Sequence, residues 1–110
     1  MRINATIFLT LIFVVFSSCG GKHTTKTVNT PTIQCGMCQK TIEIGLKKIS
    51  GVKAATVDLK TKSTTVSYDM DKTDITIIEK TISNLGYQAN LTPAEPAVYD
   101  ALPDCCKLAG

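Results

Sequence analysis

At 110 residues the chain has room for one domain, and an N-terminal leader takes part of that length. Twelve Lys and Arg against nine Asp and Glu give a formal net charge of +3, too small and too evenly scattered to argue for a nucleic-acid partner. Six aromatics and no Trp likewise argue against a base-stacking surface.

Met1-Arg2 carries positive charge, and Ile7 to Phe16 is a ten-residue run with one polar interruption. That length suits the apolar core of a secretion signal and falls short of the roughly 18 residues a bilayer-spanning helix requires. Phe16-Ser17-Ser18-Cys19-Gly20 follows, small residues just before a cysteine, which resembles a bacterial lipobox. Residues 1–18 are therefore expected to be a lipoprotein-type signal peptide ending at Cys19, whose lipidation anchors an exported chain to a membrane, facing the periplasm or the cell exterior. The alternative is an ordinary cleaved signal and a soluble periplasmic protein. Processing removes only Arg2 from the charge count, and eleven Lys against nine acids leave +2.

Residues 19–26 read as a flexible linker, opening on Gly20-Gly21 and poor in apolar side chains. His23 lies there as a solvated polar residue with no companion at metal-ligand spacing. The compact part, residues 27–91, is of a size that buries a core only marginally. Val28 to Gln34 is a strand candidate weakened by Pro31, which cannot donate to a ladder. Cys35-Gly36-Met37-Cys38 then opens a helix from Cys38 to Ile49, with Ile42, Leu46 and Ile49 on one face and Lys40, Glu43, Lys47 and Lys48 largely off it. Gly51 is free to take a left-handed conformation at its end.

Val52 to Leu59 alternates Ala55, Val57 and Leu59 against Thr56 and Asp58; Thr64 to Tyr68 alternates Thr64, Val66 and Tyr68 against Thr65 and Ser67. The polar turn at residues 60–63 makes the two runs a hairpin. Ile75, Ile78, Ile82 and Leu85 then repeat at helical steps until Gly86, and Tyr87 to Leu91 is read as a last strand. The order is β-α-β-β-α-β, which predicts an α+β, ferredoxin-like sandwich with one four-stranded antiparallel sheet and two helices on one face.

This topology, the CxxC opening the first helix, Ser50-Gly51-Val52 after it, the hairpin, and Leu85-Gly86-Tyr87 before the last strand resemble a heavy-metal-associated (HMA) domain over residues 27–91. That family includes bacterial copper chaperones, the periplasmic mercury-binding protein and N-terminal modules of metal-pumping ATPases. The chain departs from it at Ile33, where the family usually has Met packing under the loop, a place isoleucine can fill. Met37, inside the motif, reads as a flexible apolar plug or a thioether near the metal. The resemblance implies that Tyr87 approaches the metal loop; the alternative is an aromatic at the edge of the core.

Two thiols three residues apart can close on one soft ion or on each other. Thiolate is the form that binds metal, and Cys38, in the first helical turn, faces unpaired N–H groups and the positive end of the helix dipole. With no His or carboxylate nearby, Cys35 and Cys38 suit thiophilic Cu(I) or Hg(II), which accept two sulfur ligands; Mg²⁺, Ca²⁺ and Mn²⁺ want oxygen. Zn(II) fits less well, since it normally takes four ligands and this loop supplies two. The resemblance implies ligand exchange with a partner, either a membrane metal transporter or another metal-binding domain, in which the partner's thiol adds before one of the first two leaves.

Residues 92–110 form a tail with Pro93, Pro96 and Pro103 that ends near Cys105-Cys106. Thirteen residues separate Leu91 from Cys105, enough at about 3.3 Å each to reach back across so small a domain. The pair can add thiolates to the ion, bind a second ion, or serve a structural or redox-buffering role as a disulfide. The acids Asp58, Asp69, Asp71, Asp74 and Glu79 fall in turns or on helix faces, and no paired carboxylates, Ser/His/Asp set or phosphate loop can be assembled from the chain. The expected function is thus a non-enzymatic binding protein that carries, transfers or sequesters a thiophilic ion outside the cytoplasm. Two alternatives use the same CxxC: a thiol–disulfide oxidoreductase, against which the hairpin after the first helix and the absence of Trp or Pro flanking the cysteines weigh, and a passive lipoprotein with a structural disulfide.

Overall fold

The computed structural model describes residues 22–107, so the expected signal peptide at 1–18 and lipidation at Cys19 lie outside the described residues. Three strands form one antiparallel sheet: β1 (His23–Asn29), β2 (Val52–Asp58) and β3 (Ser63–Asp69), in the order β1-β3-β2. β1 and β2 both run against β3, the split β-α-β arrangement, with Val28 and Val57 opposite Thr64 and with Lys26 and Ala55 opposite Val66. Alternation decides the two faces. Val28, Ala55, Val57, Thr64, Val66 and Tyr68 point inward and are buried. Thr25 meets Ser67, and Thr27 meets Thr65, as hydroxyl pairs on the open face.

Helices α1 (Gly36–Lys47) and α2 (Ile75–Asn84) cover the inner face. α1 turns Cys38, Ile42 and Leu46 inward at four-residue steps, so the apolar stripe begins with a cysteine. Its flank also serves the edge strand β2: Gln39 Nε2 donates to the Val57 carbonyl at 3.1 Å, and the Val57 N–H donates to Glu43 Oε2 at 2.9 Å. α2 is capped by Asp74, whose Oδ1 accepts from the Ile77 N–H at 2.9 Å, and it buries Ile78 and Ile82. Asp58 and Asp69 serve turns, Asp58 accepting from the N–H groups of Lys60 and Thr61 and Asp69 from that of Asp71, while Glu79 Oε2 on α2 accepts from Asn90 Nδ2 at 3.1 Å. Gly51 and Gly86 take φ of +101° and +100°, the left-handed conformation where chain direction reverses after each helix.

Two sequence expectations are corrected. The first strand is not Val28 to Gln34 but His23–Asn29, so residues 23–26, expected as linker, pair with β3, and His23 sits opposite Asp69. Beyond Asn29 the chain turns at Pro31-Thr32, where proline has no N–H for a ladder, and the Ile33 N–H closes on the Thr30 carbonyl at 3.3 Å. The sheet is also three-stranded: among the described residues Tyr87 to Leu91 forms no fourth strand. This segment does lie beside the end of β1, with the Asn90 N–H bonded to the Asn29 carbonyl at 2.7 Å and the Asn29 N–H to Asn90 Oδ1 at 2.9 Å. Asn90 itself is left-handed, at φ +53°, and folds the chain into a turn closed by two bonds between Ala89 and Thr92, which ends the pairing after one step.

The tail is folded rather than extended. Ser83 Oγ donates to the Pro93 carbonyl at 2.6 Å, and the Glu95 N–H to the Ser83 carbonyl at 3.0 Å. A short helix, α3 (Pro96–Asp100), follows with proline in its first turn, where a missing N–H costs nothing. Leu102 then packs over Gly86, and a 3₁₀ turn at Asp104–Cys106 carries Cys106 into the core.

Candidate metal centre

Cys35 caps the N-terminus of α1 with an extended backbone, φ −149° and ψ 175°. Ile33, fully buried two residues earlier, anchors the loop from below. Cys38 lies in the first turn of the helix and is fully buried, while Met37 between them is 54 % exposed and so is neither a plug nor part of the core. The two motif sulfurs stand 3.8 Å apart.

The folded tail adds the other two cysteines. Cys106 Sγ is 4.0 Å from Cys35 Sγ and 3.8 Å from Cys105 Sγ. The sulfurs of Cys35, Cys105 and Cys106 all lie within 4.8 Å of one another. All four are free thiols, grading from exposed Cys105 through half-buried Cys35 to buried Cys38 and Cys106. No carboxylate or imidazole joins the group among the described residues, and His23 opens β1 opposite Asp69. A sulfur-only donor set fits soft cations and offers nothing to hard ones.

The thiols are not equivalent. The Cys38 N–H, directed at Cys35 from the helix mouth, lowers the Cys35 thiol to about 7, helped by the Cys105 thiol and the Met37 N–H. Cys35 receives this benefit because the capping position faces the unpaired N–H groups of the first turn. Cys105 is raised, first by its neighbour Cys35. Burial pushes Cys106 up to about 12, with Cys38 alongside adding to the effect. Tyr87 is buried with no hydrogen-bond partner for its hydroxyl among the described residues, and burial, followed by the thiols of Cys38 and Cys106, raises its phenol. Tyr87 therefore does border the cysteine cluster. What sequence reasoning missed were the residues that hold the tail in place, Ser83 and Leu102. Leu102 stands three positions before Cys105 in a proline-bounded segment, the one signal that could have marked it.

The family model for the heavy-metal-associated domain matches residues 27–88. The mercuric transport protein periplasmic component of Shewanella putrefaciens is 36 % identical over 67 residues, covering 61 % of this chain and 74 % of that protein. A copper-exporting P-type ATPase of Bacillus subtilis (strain 168) is 39 % identical over 61 residues, 56 % of this chain but 8 % of the ATPase. Among solved structures, a CopZ metallochaperone aligns with a TM-score of 0.59 at 29 % identity, covering 60 % of this chain and 98 % of the other.

Proposed function

The chain belongs to the heavy-metal-associated domain family, and on that premise we propose that it binds a thiophilic ion, Cu(I) or Hg(II), through Cys35 and Cys38 and carries, transfers or sequesters it outside the cytoplasm. The observation that carries this reading is the 3.8 Å Cys35–Cys38 sulfur pair at the mouth of α1, with Cys35 ready to ionise near neutral pH. The ion is cargo. Each thiol that joins it gives up a proton to solvent, and Cys35, lowered to about 7, does so readily near neutral pH. Copper and mercury are the metals in the names of the relatives above, and both accept sulfur ligands. Export and a lipid anchor at Cys19 rest on the leader sequence alone. The receiving partner is a membrane metal transporter or another metal-binding domain, whose thiol enters the sulfur shell before a resident one leaves.

The test is titration of the purified, reduced full chain with Cu(I), Hg(II) and Zn(II) against a competing chelator, with insulin reduction assayed in parallel. One tight equivalent of Cu(I) or Hg(II), lost in Cys35→Ser/Cys38→Ser, is the expected result. Turnover of insulin without stoichiometric metal binding would reverse the assignment in favour of a thiol–disulfide oxidoreductase.

A further inference from the structure

The motif pair is not the whole of the sulfur cluster, and the additional thiols come from a segment outside the matched domain, residues 27–88. Three features show that this segment is built into place. Ser83 ties its start through Pro93 and Glu95. Leu102 sits on Gly86, at the foot of α2, so close that an added Cβ there would stand 3.1 Å from Leu102 Cδ1. The 3₁₀ turn, closed by the Cys106 N–H to the Pro103 carbonyl at 2.8 Å, leaves Cys106 only 1 % exposed beside Cys35.

Sulfur separations report how many sulfurs can share an ion. With metal–sulfur bonds of about 2.3 Å, two sulfurs in a linear site stand about 4.6 Å apart, in a trigonal site about 4.0 Å, and in a tetrahedral site about 3.8 Å. The Cys35–Cys38, Cys35–Cys106 and Cys105–Cys106 separations of 3.8, 4.0 and 3.8 Å, contact distances between free sulfurs, are already compatible with the trigonal and tetrahedral values, so little movement would close the shell. We propose that Cys105 and Cys106 ligate the same ion as Cys35, whose sulfur lies within 4.8 Å of both, with Cys38, 3.8 Å from Cys35, free to complete the shell, turning an open two-sulfur site into a closed one of three or four sulfurs. This rests on the metal-binding reading above and deepens it. The cargo class becomes soft ions that take three or four thiolates, Cd(II) and Zn(II) as well as trigonal Cu(I) or Hg(II), because the shortage of ligands in the loop is made up by the tail. A filled sulfur shell leaves a partner's thiol no open position on the ion, which favours retention over rapid hand-off.

The experiment uses the reduced full chain loaded with one equivalent of Cd(II) alone. X-ray absorption counts the sulfur neighbours, and chelator competition measures affinity. The wild-type chain is expected to show three or four sulfurs, and Cys105→Ser/Cys106→Ser two, with affinity reduced on the order of 100-fold as intramolecular ligands are lost. Cys105→Ser, at an exposed position that leaves packing intact, removes at most one sulfur and tests the count without disturbing the core. Two sulfurs in wild type, with affinity unchanged in the tail variant, would overturn the closed site and leave the Cys35–Cys38 reading standing. Wild-type Cd(II) binding retained by Cys35→Ser/Cys38→Ser would overturn the shared site, and failure of the wild-type chain to hold any ion, Cu(I) and Hg(II) included, would overturn both.

Discussion

Cys35 and Cys106 are neighbours 4.0 Å apart whose environments pull them in opposite directions. One looks into a ring of helix N–H groups; the other is buried among apolar side chains. Alkylation separates them. In the reduced, metal-free chain, iodoacetamide labelling of Cys35 should rise with pH through about 7, while Cys106, pushed up to about 12, stays unlabelled at neutral pH. Equal labelling at pH 7 would contradict the geometry. The signs for stability differ too. Cys35, depressed on folding, contributes stability that is present above its unfolded value of 9.0 and lost as pH falls through about 7. Cys106, raised on folding, contributes below 9.0 and loses that contribution as pH climbs toward about 12. A second residue-scale expectation concerns Thr30 and Thr64, both fully buried and bonded to each other through their hydroxyls at 3.1 Å. Thr64→Val keeps the shape but strands the Thr30 hydroxyl, and denaturant unfolding should register a loss of about 1–3 kcal/mol.

The elements differ in how plainly the sequence announced them, and the difference follows burial. α1, α2 and the hairpin each lay a periodic apolar face on the core, so Ile42 and Leu46, Ile78 and Ile82, and Ala55, Val57 and Val66 could be read directly. β1 buries only Val28 among its seven residues and is held by backbone pairing to β3, so it leaves no alternation to find. The missing fourth strand turns on the left-handed backbone of one residue, Asn90, which composition does not reveal. The motif cysteines were legible from spacing. The arrival of Cys105 and Cys106 beside them was legible only as reach, because it depends on Leu102 finding Gly86. Gly86→Ala tests that joint: a side chain at φ +100° is strained and meets Leu102, so the variant should lose roughly 1–2 kcal/mol in stability. It should also expose Cys106 to alkylating reagents; unchanged protection of Cys106 would show that the tail is held some other way.

For the whole molecule, a ligand that binds only the folded state adds stability by mass action. An ion present at 100 times its dissociation constant adds about 2.7 kcal/mol, which for a domain of this size raises the unfolding temperature by roughly 10–20 °C. The reduced full chain should show that rise with Cu(I) or Hg(II), and Cys35→Ser/Cys38→Ser should not; a rise that persists in the double variant would place the ion elsewhere. The buried phenol at the edge of the cluster adds a property of its own. The chain has no tryptophan, so ultraviolet emission comes from its three tyrosines, and one of them, Tyr87, borders the cysteines. A heavy ion settling among those sulfurs would dim that ring, giving the unlabelled protein a native optical gauge of its own occupancy.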